Sequence, residues 1–134
     1  MLNNTKNIIK ESLLTWILEI DSQEIPSDII ALNFGLTGPD IDYCSYGVFL
    51  YGSTKYSKSN SSWANFETYS PTPQVCPNLE IKPTLELSDF IQLVTESLIE
   101  ISDEYPNTKV FQVLHVTCGY YDDFKEKYLL DVIK

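Results

Sequence analysis

The chain has 134 residues, of which 43% are hydrophobic, and its 19 acidic and nine basic side chains give a formal net charge of −10 at pH 7. All nine basic residues are lysines. The chain therefore has no arginine to hold a phosphate through two parallel hydrogen bonds, and its charge repels nucleic acid. This length and composition predict a single globular domain over residues 1–134.

The same features predict the compartment. No run of about 18 apolar residues is present, so we expect no transmembrane helix. The N-terminal residues lack the apolar region and the cleavage site of a signal peptide. Cys44, Cys76 and Cys118 are far apart and form no C-x-x-C motif. We therefore expect a cytoplasmic protein whose thiols are reduced and mostly buried.

The first predicted element is a helix over about residues 5–20, with Asn4 or Thr5 as its N-cap. Apolar side chains recur at helical spacing along one face. This face is expected to be buried and consists of Ile9, Leu13, Trp16, Ile17 and Ile20.

Residues 28–53 are predicted to form a β-hairpin at the centre of the sheet. In the first strand, large apolar residues alternate with smaller or polar ones, as expected where one face is buried. Gly38, Pro39 and Asp40 then break the pattern, and an aromatic and β-branched run follows from Tyr43 to Tyr51. The alternating residues of the first strand are Ile30, Leu32, Phe34 and Leu36.

The middle of the chain predicts mostly irregular structure. Residues 52–62 are rich in serine, asparagine and lysine and indicate a surface loop. Trp63, Phe66 and Tyr69 favour a short strand, whereas the three prolines of residues 70–78 exclude regular structure. Residues 79–85 are a candidate edge strand, a position that tolerates Pro83.

A second helix is predicted over about residues 88–105, capped by Ser88. Its apolar face is Phe90, Leu93, Val94, Leu98 and Ile101, and its solvated acidic face is Glu96, Glu100, Asp103 and Glu104. Residues 110–118 then predict a central strand and residues 119–123 a turn; the tail fits either a strand or a short helix. The order of elements indicates an α+β fold, with two main helices packed on an antiparallel-rich sheet.

The sequence contains no pattern typical of a catalytic or metal site. His115 is the single histidine, which excludes every metal site that needs several histidines, and its apolar strand favours a hydrogen-bonded structural role. The acid pairs Asp40/Asp42 and Asp122/Asp123 are better explained as turn formers than as cation ligands. No glycine-rich phosphate loop is present. We expect no cofactor, no metal and no enzymatic activity.

Aromatic residues next to acids favour a protein-binding surface instead. Nine tyrosines is a high number for 134 residues, and tyrosine and tryptophan dominate the energetics of protein interfaces. Acids around them would pair with a basic partner. The predicted contact residues are Asp40, Asp42, Tyr43, Tyr51, Tyr56, Trp63, Glu67, Tyr121, Asp122 and Asp123.

Four strings of residues resemble a known group of proteins: I-P-S-D-I-I-A-L-N-F-G-L, Y-G-V-F-L-Y-G-S-T-K-Y, S-S-W-A-N and V-T-C-G-Y-Y-D-D. They are similar to small bacterial cytosolic proteins, many of which look like immunity proteins of polymorphic-toxin or contact-dependent growth-inhibition systems. The likeness covers about residues 25–66 and 110–124. One departure is that residues 55–58, K-Y-S-K, replace the acidic run that follows G-S in that group.

The resemblance implies that the chain binds a cognate toxin domain and neutralises it by blocking its active site. If that toxin is a nuclease, its surface is basic, which suits an acidic partner. Two alternatives stay open. One is a regulatory or scaffold module that binds some other protein, and the other is a small hydrolase that uses Asp40, Asp42 or His115. A deep pocket around His115 with converging carboxylates would favour the hydrolase.

Overall fold

The computed structural model describes residues 2–38, 46–65, 67–77, 79, 81, 85–122 and 125–132. Their order is helix α1 (Leu2–Ile20), strands β1 (Ala31–Thr37) and β2 (Gly47–Ser53), a 3-10 helix (Ser61–Asn65), helices α2 (Leu87–Glu104) and α3 (Lys109–Gln112), and strands β3 (His115–Asp122) and β4 (Lys125–Asp131). Among the described helices, none is long and apolar enough to cross a membrane.

The four strands form one mixed sheet in the order β2-β1-β3-β4. The β1–β2 and β3–β4 pairs are antiparallel, whereas β1 and β3 run parallel. The structure confirms the predicted α+β class. It also confirms the β1–β2 hairpin and the two main helices of the fold. The hairpin is not the centre of the sheet, however, because β2 lies at the edge and the interior strands are β1 and β3.

The outer edge of β2 is covered by the proline-containing segment that follows the 3-10 helix. The amide of Leu50 donates to the carbonyl of Gln74, at 2.9 Å, and the amide of Gly52 donates to that of Tyr69, at 2.7 Å. The amide of Cys76 donates to the carbonyl of Val48, at 2.8 Å. Residues 69–76 thus satisfy backbone groups that an edge strand leaves open, while forming only isolated bridges.

The main core lies between one face of the sheet and the two long helices. Side chains of β1 that alternate along the strand are buried there, and the indole of Trp16 meets the ring of Phe34 edge to face, with centroids 6.0 Å apart. Every apolar residue predicted for the buried faces of α1 and α2 is buried. Both helices were therefore predictable from the apolar period alone.

Several local expectations are wrong. Asn4 and Thr5 do not cap α1, which begins at Leu2, and Trp63 lies in the 3-10 helix instead of a strand. Ser88 does not cap α2, because the N-cap residue is Glu86, which makes no side-chain capping bond. Val110 and Phe111 belong to α3 rather than to a strand. Residues 119–122 continue β3 instead of turning, and the tail that fitted either element is strand β4. Of the candidate edge strand, Leu79 and Ile81 are buried outside any strand, and Pro83 lies outside the described residues.

Candidate functional site

A polar row crosses the face of the sheet that is turned away from α1 and α2. Asn33 on β1 is in register with Tyr51 on β2 and with Thr117 on β3. Its amide nitrogen donates to the Tyr51 hydroxyl at 2.9 Å, and its amide oxygen accepts a hydrogen bond from the Thr117 hydroxyl at 2.8 Å. All three side chains are buried. The row therefore fixes the register of three strands and is not itself open to a ligand.

The loop after β2 and the 3-10 helix fold over this second face. Trp63 and Ala64 form a small core there with Ala31 and Tyr51, separate from the core beneath the helices. The ring of Tyr56 stacks on the imidazole of His115 with centroids 3.6 Å apart and planes 4° apart. The same ring also contacts the indole of Trp63, with ring centroids 5.2 Å apart. Aromatic packing thus attaches the loop to the sheet.

A cleft of about 610 Å³ is formed by this loop, the 3-10 helix and Ile30, the residue before β1. Its volume is within the range that small-molecule sites occupy. Two aromatic side chains and one isoleucine supply apolar wall, while hydroxyl, amide and ammonium groups supply the polar contacts. The lining residues are Ile30, Thr54, Lys55, Tyr56, Ser57, Asn60, Ser62 and Trp63.

The charge around the cleft differs from that of the rest of the chain. Between Asp42 and Glu67 the sequence has no acid, and its two charged residues are Lys55 and Lys58, both exposed. Burial raises the pKa of the Tyr56 hydroxyl, and the carboxylate of Asp131 on β4 raises it further. The stretch between Asp42 and Glu67 thus carries positive charge within a strongly acidic chain, while the Asp131 carboxylate acts on Tyr56 in the cleft wall.

The opposite end of the sheet collects acidic positions. Because β1 and β3 are parallel, Gly38 and Asp122 both come at the ends of these strands on this side. A β-carbon placed on Gly38 would lie 3.9 Å from the Tyr120 hydroxyl and 3.9 Å from the ring of Tyr46. The structure thus brings together the chain leading to Asp40 and the last residues of β3.

Helix α2 begins at the same end of the sheet. The Tyr46 ring stacks on Phe90 with centroids 4.4 Å apart, and its hydroxyl donates to the carbonyl of Leu85. Burial, followed by the charges of Tyr120 and Glu86, raises the pKa of the Tyr46 hydroxyl. Glu86 and Asp89 therefore stand beside the ends of β1 and β3, and we call this region the acidic end of the sheet.

The predicted contact residues fall at different places in the fold. Asp40, Asp42, Tyr43 and Asp123 lie outside the described residues, and Tyr121 and Asp122 are the last two residues of β3. Tyr51 and Trp63 are only 3% and 5% exposed, so their rings offer little surface to a partner. Tyr56 is half-buried at the cleft, and Glu67 is exposed and accepts a hydrogen bond from Gln74 at 2.8 Å.

These residues therefore do not form one patch. Tyr56 and Trp63 follow the β2 end that pairs with Ala31, whereas Asp122 lies beyond the opposite end of β1. A seven-residue strand separates the two ends by roughly 20 Å. Whether the ten residues contact a partner stays a prediction, and those that the structure describes lie in more than one region.

The acidic face of α2 is less open than a solvated helix face. Lys10 of α1 bonds Glu100 at 3.1 Å and Glu104 at 2.8 Å, and Lys6 pairs with Glu100 and, at 3.7 Å, with Glu96. Hydrogen bonds from the two lysines hold the pKa of the Glu100 carboxyl below its usual value. These glutamates are used to join α1 to α2, which leaves Asp103 exposed at the end of the helix.

The sequence pattern did not predict Asn33 and Thr117 as a pair. The signal for Asn33 was available, because a buried strand that carries an asparagine between Leu32 and Phe34 must give its amide hydrogen-bond partners. The partner was not predictable, since Thr117 is 84 positions away and pairs through parallel register.

The described residues provide no group of side chains that supports the hydrolase alternative. His115 is half-buried beneath Tyr56. Within the described ranges, no group of three or more histidine, cysteine, aspartate or glutamate side chains is placed to hold a metal ion.

Comparison with known proteins adds no relative: the chain has no significant match among protein-family models, curated proteins or solved structures. The resemblance to immunity proteins therefore stays a prediction that rests on the four strings of residues.

Proposed function

We propose that this chain is a bacterial immunity protein that binds a cognate, basic toxin domain and blocks its active site both sterically and electrostatically. It acts in the cytoplasm and performs no catalysis of its own. The resemblance of its strand and turn sequences motivates the class, and the charge of the molecule supports the kind of partner.

One observation carries the proposal: acidic positions from two described parts of the chain lie at one end of the sheet. Glu86 and Asp89 lie at the start of α2, and Asp122 ends β3. Asp40 and Asp42 lie outside the described residues. The acids in the middle of α2, by contrast, are paired with lysines of α1. The acidic end is thus the surface best suited to a basic partner.

The physical advantage of such a surface is speed. Opposite charge on two partners steers their encounter and raises the association rate far above that of a neutral pair, with an effect that falls as salt rises. An immunity protein must reach its toxin before the toxin reaches its substrate. The net charge of −10 of the whole chain supports that task.

The experiment has two stages. The tagged chain is used to capture partners from the host cell, and each captured protein is then expressed in a sensitive host with and without the chain. The proposal requires a captured protein that is toxic when expressed alone and harmless when the chain is present. Capture without toxicity would instead favour a regulatory or scaffold role.

Two matched variants test the surface. Glu86→Lys reverses an exposed charge at the acidic end, and Asp103→Lys makes the same change at the other end of the same helix. We expect Glu86→Lys to weaken rescue and slow association with the toxin, and Asp103→Lys to leave both close to normal. Equal effects would show that only net charge matters, and a selective effect of Asp103→Lys would move the contact to the other end of α2.

A further inference from the structure

The cleft between Ile30 and residues 54–63 has the size of a small-molecule site, and nothing in the immunity function requires it. Its volume of about 610 Å³ far exceeds the space of one water molecule. Tyr56 in its wall stacks on His115, the first residue of β3, and contacts Trp63, which belongs to the smaller core. One wall of the cleft is therefore preformed.

The charges at the cleft disfavour an ionic ligand. Lys55 lines the cleft but already has a further interaction within the protein, so its charge is not reserved for an anion. The Asp131 carboxylate, which acts on Tyr56 in the wall, would also repel an anion. A cation finds no counter-charge in the lining itself, because the described lining residues include no aspartate or glutamate. A neutral ligand is therefore favoured.

The aromatic side chains of the lining are poorly placed to stack on a flat ligand. The imidazole of His115 covers one face of Tyr56, with centroids 3.6 Å apart, and Trp63 packs against the same ring and is only 5% exposed. A planar base binds best on an open ring face. With Ile30, these side chains instead offer apolar carbon and ring edges, which suit aliphatic C–H groups.

The polar side chains of the lining both donate and accept hydrogen bonds. Thr54 and Ser62 contribute hydroxyls, which can do either, and the Ser57 hydroxyl is shared with that of Ser59 at 3.3 Å. The side-chain oxygen of Asn60 accepts a hydrogen bond from the amide of Ser62 at 3.0 Å, and its NH₂ group is a donor. A purely apolar ligand would deprive these groups of water without replacing it, at a cost in free energy. The lining therefore matches a neutral ligand rich in hydroxyl groups.

We propose that this cleft binds a neutral saccharide. A sugar ring has no net charge, carries hydroxyls that both donate and accept, and presents C–H groups that pack on apolar side chains. A neutral peptide has both kinds of hydrogen-bonding group as well, but its backbone pairs best with a strand edge, whereas this lining comes from a loop, a 3-10 helix and the residue before β1. The inference goes beyond the immunity function, since it involves no toxin.

The two tryptophans of the chain provide an internal control for the test. Trp63 lines the cleft, whereas Trp16 is buried beneath the other face of the sheet, where its indole N–H donates to the carbonyl of Pro73 at 2.9 Å. The indole N–H signals of ¹⁵N-labelled protein are followed during separate titrations with trisaccharides of glucose, of mannose and of N-acetylglucosamine. A capped, uncharged tripeptide of serine and alanine is the matched probe that is not a sugar. We expect at least one sugar to shift the Trp63 signal and leave that of Trp16 in place.

Three variants test the chemistry of the lining. Thr54→Val keeps the size of the side chain and removes its hydroxyl, so the affinity for that sugar should fall about fivefold, the effect of one lost hydrogen bond. Thr15→Val makes the same change at an exposed position of α1 and should leave the affinity unchanged. Lys55→Gln should also leave it unchanged, because the ligand is neutral. Thermal unfolding of each variant checks that it is folded.

Four results would each overturn the proposal. They are a Trp63 signal that none of the three sugars moves, tighter binding of the tripeptide than of any sugar, equal affinities of the Thr54→Val and Thr15→Val variants, and a loss of affinity in Lys55→Gln as large as that in Thr54→Val. The last result would mean that the cleft selects an acid. None of these measurements depends on a toxin, so the inference and the proposed function can fail separately.

Discussion

The ring of Tyr56 lies flat on the imidazole of His115, with centroids 3.6 Å apart. The contact joins the loop after β2 to the first residue of β3, and so forms part of the wall of the cleft. It also gives the lone histidine of the chain a packing contact.

Replacing Tyr56 should loosen this loop in a way that depends on the ring. Tyr56→Ala removes the stack on His115 and the contact with Trp63, and we expect a loss of about 1 kcal/mol in the free energy of unfolding. Tyr56→Phe keeps the ring and should lose much less. Urea unfolding monitored by circular dichroism measures both values. A Phe variant as unstable as the Ala variant would show that the hydroxyl, not the stack, is the stabilising group.

Two glycines should respond differently to the same substitution. A β-carbon on Gly52 would lie 2.9 Å from Ile29, closer than packed atoms allow, and 3.0 Å from Leu32, which is a tight contact. We expect Gly52→Ala to cost about 2 kcal/mol through overpacking. Gly38→Ala, whose nearest neighbours lie 3.9 Å away, is the matched control and should stay close to the wild type. Thermal unfolding of the two variants gives the comparison.

Acid should weaken the contact between α1 and α2. Hydrogen bonds from Lys6 and Lys10 lower the pKa of the Glu100 carboxyl in the folded protein. A carboxyl with a lowered folded pKa adds stability above its unfolded pKa, and that stability is lost as the pH falls through the folded pKa. The wild type should therefore lose stability with acid more steeply than Glu100→Gln does.

Urea midpoints measured from neutral to acid pH test this difference. The side chains of Glu100 and of its lysine partners are partly exposed, so high salt should reduce the difference between the two proteins. Asp103→Asn, on the same helix but in none of the ion pairs of the described residues, provides the control and should keep the wild-type slope. Parallel curves for wild type and Glu100→Gln would contradict the prediction.

The Cys76 thiol should resist alkylation in the native protein. Burial raises its pKa to about 12, so the reactive thiolate is almost absent at mildly alkaline pH, and the side chain is also shielded from reagent. In a Cys44→Ser background, which removes the cysteine outside the described residues, we expect iodoacetamide to label Cys76 only after urea unfolds the chain. Labelling at the same rate without urea would show that this part of the core opens readily.

Reversing the charge of Asp40 and Asp42 together should slow association with a captured toxin. Loss of steering reduces the association rate by about tenfold at low salt and flattens its dependence on salt, while dissociation changes less. Surface plasmon resonance at several salt concentrations separates the two rates. If neither this pair nor the corresponding Asp122/Asp123 variant alters binding, the acidic end is not the contact surface.

The parts of the fold that the sequence predicted are those governed by local pattern. The apolar faces of α1 and α2 and the alternation in β1 follow from neighbouring residues, because each period matches one element. The local pattern gave the wrong element for Val110 and Phe111, because both are strand-forming residues but lie in helix α3. The amide of the first residue of α3, Lys109, donates to the carboxylate of Asp21 at 2.7 Å. This contact supports the start of the helix and joins residues that are far apart in the sequence, so no local pattern encodes it.

The candidate site was harder to predict for a related reason. Proximity in sequence suggested that Tyr51, Tyr56 and Trp63 form one exposed patch, but alternation along β2 and the fold of the loop bury two of these rings. The approach of Gly38 to Tyr120 depends on a parallel pairing between distant segments. Register of this kind is decided by the assembled core, not by the residues on either strand alone.

The parallel pairing of β1 with β3 also determines when, during synthesis of the chain, the sheet can form completely. Asn33 and Thr117, joined across these strands, are 84 positions apart, and both long helices and the hairpin precede β3 in the chain. A nascent chain that ends after α2 has an interior strand with one side unpaired, and an open strand edge recruits other chains. Cleavage or premature termination between α2 and β3 therefore converts β1, a buried interior strand, into an open edge that is prone to aggregation.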